Sequence, residues 1–142
     1  MASTDHARQR QTGTALAARP GGFLRRALFL DVILTGANGI GYVSLATVLD
    51  DVFGFSRSVQ YPVGVFLIVF ALFVLRTATR REIDRSAVTV IIALNGLWAV
   101  ASVVVAWSGV LGATGLGTGW TVLQGLVVGG FAVLQYVGLR RA

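Results

Sequence analysis

The chain has no cysteine, no lysine and a single histidine, and charged residues make up only 13% of its 142 residues. Without cysteine it can form no disulfide and offers no thiolate to a substrate or a metal. The sequence shows no nucleophile beside a base, no metal-binding cluster, no phosphate-binding loop and no pair of haem ligands. We therefore expect a protein that is not an enzyme, with no catalytic or metal-binding residues and no cofactor.

Long apolar runs, rather than charged residues, dominate the sequence. The chain is 55% hydrophobic, with a mean hydropathy of +0.76, and four runs approach or exceed the roughly 20 residues that cross the hydrocarbon of a bilayer. These runs cover about residues 27–49, 61–76, 87–107 and 120–139. The sequence thus predicts an all-α membrane protein with a four-helix transmembrane domain over residues 23–142. Residues 1–22 are polar and basic, which predicts a flexible tail.

The two halves of the chain resemble each other. Asn-Gly occurs in the middle of the first run, at Asn38, and again in the third run, at Asn95. The second and fourth runs also align, with Gly64, Phe70-Ala71 and Arg80 opposite Gly125, Phe131-Ala132 and Arg141. We interpret the chain as two tandem helical hairpins, parallel repeats related by a pseudo-twofold axis along the membrane normal.

Small residues within the runs favour close helix packing. Ala37 and Gly41 are four residues apart in the first run, as are Gly125 and Gly129 in the fourth. This spacing lets helix backbones approach in lipid. An unwound or hinged ligand site is the alternative role for these glycines.

The arginines predict the orientation. Eleven of the twelve lie before the first run, between the second and third runs, or at the C-terminus, and Arg57 alone lies on the other side. By the positive-inside rule, both termini and the middle loop are cytoplasmic. The net charge of +6 is then a topology signal that favours anionic lipid headgroups over nucleic acid as a partner.

The polar residues inside the spans carry whatever chemistry the protein has. Those of the first span follow each other at intervals of 4, 3 and 4, which places them on one helical face: Asp31, Thr35, Asn38 and Tyr42. In the fourth span, Gln124 and Gln135 share a face about 16 Å apart. Polar side chains avoid lipid, so these faces should point into the bundle or into an oligomer interface.

Aromatic residues divide into two groups by position. Tyr61, Trp107 and Trp120 lie at the outer ends of spans and Tyr136 near an inner end, which is typical of an interfacial aromatic belt. Trp98 lies near the middle of its span instead, and we expect it to be a packing residue or the wall of a pocket.

Asn38 and Asn95 occupy equivalent positions in the two halves. The pseudo-twofold axis would bring them to one depth, where they could bond to each other. One interpretation is a hydrogen bond that holds helices together, worth about 0.6 kcal/mol and at most about 1.7 kcal/mol. The other is a ligand or ion site at the membrane midplane.

Asp31 and Arg76 are the charges expected within or at the edge of the hydrocarbon. The second half has Val88 and Val137 at the corresponding positions, so both charges are lost together. This favours an ion pair within the first hairpin, because a buried charge without its partner is costly. A proton- or cation-coupling acid and a loosely solvated interfacial acid are the alternatives.

The pattern LDxxxTGxNGxxY over residues 30–42, followed by ALNGLWAVAS over residues 93–102, resembles an uncharacterised family of small four-span bacterial integral membrane proteins. The resemblance covers residues 24–139. It implies a four-span fold and a bacterial plasma membrane, and it brings no assigned activity.

Taken together, the sequence favours a small non-enzymatic accessory or lipid- or small-molecule-binding bundle in contact with membrane lipids. Its small-residue faces could also serve self-association into a homo-oligomer, and no protein partner can be named. The alternative is a minimal transporter or channel whose path is lined by Asp31, Asn38, Asn95 and Gln124.

The topology can be tested with reporter fusions. A reporter fused after Ala142 should behave as cytoplasmic, and one inserted near Thr114 as external, because the arginines retain the other ends of the spans inside. Opposite signals would overturn the orientation, and mixed signals would indicate a dual topology.

Overall fold

The computed structural model describes residues 21–142, which are helical and contain no β-strand. The helices are α1 (Gly22–Ser44), α2 (Ala46–Phe53), α3 (Arg57–Thr79), α4 (Arg85–Ser108) and α5 (Gly115–Arg141). The predicted tail, apart from its last two residues, lies outside the described part of the chain.

Four of these helices, α1, α3, α4 and α5, are long and apolar enough to cross a membrane. Large apolar side chains cover the outside of the bundle, as the 62% exposure of Ile33 and the 65% exposure of Leu97 illustrate. Such a surface suits lipid rather than water. The predicted all-α fold with four candidate spans is therefore confirmed, whereas the tandem repeat and the orientation stay predictions.

The arginine end of the bundle, which carries Arg25, Arg80 and Arg85, holds its helix termini with side chains. The guanidinium of Arg25 donates to the carbonyls of Ala78 and Arg80, which have no partner inside α3 because the helix stops there. Asp84 caps α4 by accepting from two backbone N–H groups of its first turn. These contacts fix where α3 ends and α4 begins.

Helices of the same hairpin pack most closely, α1 against α3 and α4 against α5, while α1 and α5 join the two hairpins. Glycine permits both close contacts. A Cβ on Gly64 would lie 3.0 Å from the carbonyl oxygen of Gly39, and one on Gly125 would lie 2.9 Å from the Cβ of Ser102. The close packing predicted at Gly125 is therefore present.

The small-residue pair predicted in the first span behaves differently. Ala37 is exposed, and nothing lies within 4 Å of the place that a Gly41 Cβ would take. Gly39, which lies between them in sequence, makes the contact with α3 instead. The helix register decides this, since Thr35, Gly39 and Tyr42 recur on the buried face of α1.

An apolar cluster occupies the core nearest the arginine end. It joins all four spans through fully or almost fully buried side chains: Leu24, Leu28, Phe70, Val74, Ala78, Val88 and Ile91, with Leu139 packed against them. Apolar side chains therefore fill the core at the arginine end of the described bundle.

The short helix α2 covers the opposite end. Gly54 ends it in the left-handed conformation, at φ +72°, and turns the chain toward α3. The backbone N–H of Thr114 donates to the carbonyl of Phe53 at 2.9 Å, and its hydroxyl donates to the carbonyl of Val52 at 2.8 Å. These bonds attach the end of α2 to the start of α5.

We expect Gly117→Ala to destabilise the fold, because its Cβ would lie only 2.1 Å from the carbonyl oxygen of Phe53. Overpacking of this kind costs about 1–3 kcal/mol. Gly119→Ala is the matched control in the same turn of α5, where nothing lies within 4 Å. Thermal unfolding in detergent should show a lower midpoint for Gly117→Ala alone, and equal midpoints would contradict the docking of α2.

Candidate functional site

Asp31 is fully buried in the middle of α1 and receives hydrogen bonds from three uncharged side chains. The hydroxyl of Thr35 donates to Oδ1 at 2.7 Å. The amides of Asn95 and Gln135 donate to Oδ2 at 2.6 Å and 2.7 Å. We call these four residues the Asp31 network.

The register of three helices brings the Asp31 network together. Thr35 is one helical turn after Asp31, so it points in the same direction from α1. Asn95 and Gln135 come from the buried faces of α4 and α5. The second N–H of Asn95 donates to the Gln135 side-chain oxygen at 3.1 Å, so the carboxylate and the two amides form a closed triangle.

The predicted ion pair between Asp31 and Arg76 is wrong. Arg76 is exposed on the outside of α3, and the salt bridge that the described residues form joins Arg57 to Asp50 at 3.9 Å. Helix geometry explains the error. Val74 is fully buried, and Arg76 follows it by two residues, which turns its side chain about 200° away.

A second polar network lies nearer the α2 end. Asn38 donates to the side-chain oxygen of Gln124 at 2.7 Å, and Gln124 donates to the hydroxyl of Tyr42 at 3.2 Å. The indole of Trp120 donates to the same hydroxyl at 3.0 Å. Asn38 therefore bonds across the bundle to α5. The predicted pairing of Asn38 with Asn95 is wrong, because Asn38 bonds to Gln124 and Asn95 bonds to Gln135.

The four spans line a half-open inner cavity of about 190 Å³. Thr35, Asn38, Asn95 and Gln124 contribute polar atoms to a wall that is otherwise apolar and aromatic. Asp31 lies directly behind this wall, one hydrogen bond beyond Thr35 and Asn95.

Free acceptors remain in this inner cavity. The side-chain oxygens of Asn38 and Asn95 accept no hydrogen bond from the described residues. Asn95 donates both of its N–H groups to Asp31 and Gln135, so its side-chain oxygen is the one polar atom of this side chain that can still bind a ligand. A ligand with a hydrogen-bond donor fits such a wall.

An outer cavity of about 210 Å³ lies nearer α2. Trp98 and Gln124 line both cavities, which makes them the partition between the two. The indole of Trp98 stacks on Phe66, with ring centroids 5.9 Å apart, and this stack bridges α3 and α4 where their backbones make little contact. Trp98 is thus both a packing residue and a pocket wall.

Three participants in the polar networks and cavities do not follow from the sequence pattern. Gln135 was placed on an inward face but not beside Asp31, and nothing in the spacing of two separate helices could have paired them. Trp120 was assigned to the aromatic belt, yet it bonds to Tyr42 and stacks on Phe53 at 5.6 Å. Gln60 precedes the predicted second run, whereas in the structure it lies in the first turns of α3 and is 1% exposed. An amide at the start of an apolar run was the available signal.

Comparison of the chain with protein-family models, with curated proteins and with solved structures finds no match. The function has to be argued from the two cavities and the polar networks themselves.

We expect Asp31→Asn to keep the fold and Asp31→Leu to lose much of its stability. Asparagine can present its oxygen to Asn95 and Gln135 and its N–H to Thr35, whose hydroxyl turns from donor to acceptor. Leucine leaves both amides and the hydroxyl without their acceptor, at about 1–3 kcal/mol for each group. Thermal unfolding in detergent measures the difference, and an equally large loss for both variants would show that the negative charge itself holds the network.

Proposed function

We propose that this integral membrane protein binds a small, mostly apolar molecule in the inner cavity, through a hydroxyl or an amine on that molecule. The supporting observation is the cavity itself, which combines apolar walls from four spans with the unpaired amide oxygens of Asn38 and Asn95. A concave apolar site with a few convergent polar groups is typical of ligand binding. Its position beside the fully buried Asp31 makes a protonated amine the favoured head group, since the carboxylate attracts a cation.

The volume sets the size of the bound group. A dry protein cavity of about 150 Å³ accommodates benzene, so about 190 Å³ accommodates one ring with a short substituent. A larger molecule would extend outward past the rim. The rim residues Leu34 and Leu123 are 49% and 53% exposed on the lipid-facing surface, which supports entry from the bilayer.

A non-enzymatic role is part of the proposal. The polar groups beside the inner cavity are amides, indoles, one hydroxyl and one carboxylate, and most of their hydrogen bonds join helices to one another. Within residues 21–142 no three potential metal ligands come together. Binding of a ligand in the inner cavity requires only the apolar contacts and the amide oxygens of the cavity wall.

Self-association in the plasma membrane, with both termini cytoplasmic, completes the proposal. The arginine distribution supports the orientation, and the exposed Ala37 and the open position at Gly41 would allow a second helix to approach. Light scattering of the detergent-solubilised protein would distinguish a dimer or larger assembly from a monomer.

The binding test uses 4-fluorobenzylamine, followed by ¹⁹F NMR with the protein in lipid nanodiscs. Val128 lines the inner cavity, so Val128→Phe should fill it and weaken binding at least about tenfold, a loss of about 1.4 kcal/mol. Val133→Phe is the control on the same helix, since Val133 is 62% exposed to lipid.

Two comparisons make this test decisive. Empty nanodiscs measure partitioning into lipid, and 4-fluorotoluene measures what the ring binds without its amine. Equal binding by the two phenylalanine variants, or equal binding of the amine and the toluene, would overturn the proposal.

A transporter is the second candidate, and one observation favours it. Within the described residues, Asp31 is fully buried without a cationic partner, and an intramembrane acid of this kind is typical of ion and proton pathways. In proteoliposomes containing a pH-sensitive dye, a gradient of the amine would then drive proton movement. Asp31→Asn should abolish that movement and weaken amine binding without removing it, because the amide oxygens of Asn38 and Asn95 remain. An absence of movement in the native protein would leave binding alone.

A further inference from the structure

Ser102, on the buried face of α4, has a hydroxyl that the fold does not use. Threonines of two other spans donate to the carbonyl four residues earlier in their own helix, Thr77 to Phe73 at 3.0 Å and Thr121 to Gly117 at 2.9 Å. The Ser102 hydroxyl forms neither this bond nor any other with the described residues. Ser102 is only 6% exposed, and buried polar groups are normally paired, so a free hydroxyl here indicates an absent partner.

The outer cavity is the space that this hydroxyl reaches. Ser102 lines the outer cavity and not the inner one. Within the described chain, the buried side-chain atom that has neither a partner nor accessible surface is the oxygen of Gln60, so the unpaired oxygen of Ser102 retains accessible surface. Helix α5 packs against the other side of the serine, because a Cβ on Gly125 would lie 2.9 Å from the Ser102 Cβ and 3.6 Å from its oxygen. The hydroxyl therefore faces the outer cavity, where a ligand can contact it.

The neighbouring polar groups on this wall have hydrogens to give and little capacity to accept. The hydroxyl of Tyr42 accepts from the indole of Trp120 and from the amide of Gln124, so both of its lone pairs are used and it can only donate. Gln124 donates one of its two N–H groups to Tyr42, and the other has no acceptor among the described residues. Tyr42, Gln124 and Ser102 all line the outer cavity, so the polar part of its wall favours a ligand that accepts hydrogen bonds.

The remaining walls define the body of the ligand and its route of entry. Phe55, Val63 and Trp98 are apolar or aromatic, and none of the lining residues is charged, so an ion would have no counter-charge here. The cavity lies between α3 and α4, whose backbones make little contact. Val59 and Ala101 line it from these two helices and are exposed on the lipid-facing surface. A neutral molecule dissolved in the bilayer can therefore enter between α3 and α4.

We propose that the outer cavity is a second binding site, for a neutral ring-sized molecule whose carbonyl oxygen accepts a hydrogen bond from the hydroxyl of Ser102. A dry cavity of about 150 Å³ accommodates benzene, so about 210 Å³ accommodates one ring that carries a short carbonyl substituent. This site depends on Ser102 and not on Asn38 or Asn95, so it is separate from the amine site in the inner cavity and selects the opposite hydrogen-bonding partner.

The experiment compares 4-fluoroacetophenone with 1-ethyl-4-fluorobenzene by ¹⁹F NMR in nanodiscs. The two compounds have nearly the same size, and only the ketone has an acceptor. Val128→Phe serves as the background because Val128 lines the inner cavity and not the outer one. After correction for partitioning into empty nanodiscs, the ketone should bind at least about five times more tightly than the hydrocarbon, because it pairs a buried donor.

Removing the hydroxyl should remove this preference. Ser102→Ala keeps the Cβ that packs against Gly125, so the bundle should fold, and ketone affinity should fall about fivefold while hydrocarbon affinity stays the same. Ser108→Ala is the control on the same helix, since Ser108 is exposed and bonds to the carbonyl of Val105. Its ketone affinity should match that of the background.

Filling the cavity should remove the binding of both compounds. Val63 lines the outer cavity, and Val63→Phe should weaken ketone binding at least about tenfold. Val65→Phe is the control two residues further along α3, where the side chain is 55% exposed to lipid and binding should not change. Val105→Phe fills the same cavity from α4 and replaces Val63→Phe should that variant fail to fold.

Infrared spectroscopy of the ketone tests the hydrogen bond directly. A difference spectrum between unlabelled and carbonyl-¹³C ketone isolates the ligand band, which should lie at lower frequency in the protein than in lipid and should move back in Ser102→Ala. Equal affinities for ketone and hydrocarbon, or a ketone affinity and carbonyl band unchanged by Ser102→Ala, would overturn the second site. Loss of amine binding with ketone binding retained would support this site and overturn the proposed function alone.

Discussion

The carboxylate of Asp31 is fully buried and has no cationic partner among the described residues, so neighbouring polar side chains must provide its hydrogen bonds. Thr35 provides one from α1, Asn95 one from α4 and Gln135 one from α5. Removing a charge from water is expensive unless such partners are present. The need to satisfy one acid thus ties three spans together at a single depth, including α1 and α4, which lie diagonally across the bundle.

The Asp31 network divides the bundle into two unlike parts. Toward the arginine end, Leu24, Leu28 and Ile91 are fully buried and pack into the apolar cluster. Toward α2, the same four helices leave the inner and outer cavities between amide and aromatic side chains. A ligand that entered from the bilayer would reach the Asp31 network from the α2 side and would meet the apolar cluster beyond it.

Composition and helical periodicity were sufficient to predict the fold. The four runs predicted the spans because length and apolarity suffice for that, and the 4-3-4 spacing placed Asp31, Thr35, Asn38 and Tyr42 toward the interior, where the structure has them at least partly buried. Partners between helices could not be predicted in the same way. They depend on the rotation of each helix about its own axis, which a single run of apolar residues leaves open.

The alignment of the two halves of the chain identifies a partner for Asp31, and that partner is not Arg76. In the alignment Asp31 corresponds to Val88, and Gln135 corresponds to Val74. Asp31 and Gln135 are bonded, and Val74 and Val88 are fully buried in one apolar cluster. The polar pair that is absent from the other half is therefore Asp31 with Gln135. The charge pattern points to Arg76 instead, because a neutral partner for a buried acid leaves no mark in that pattern.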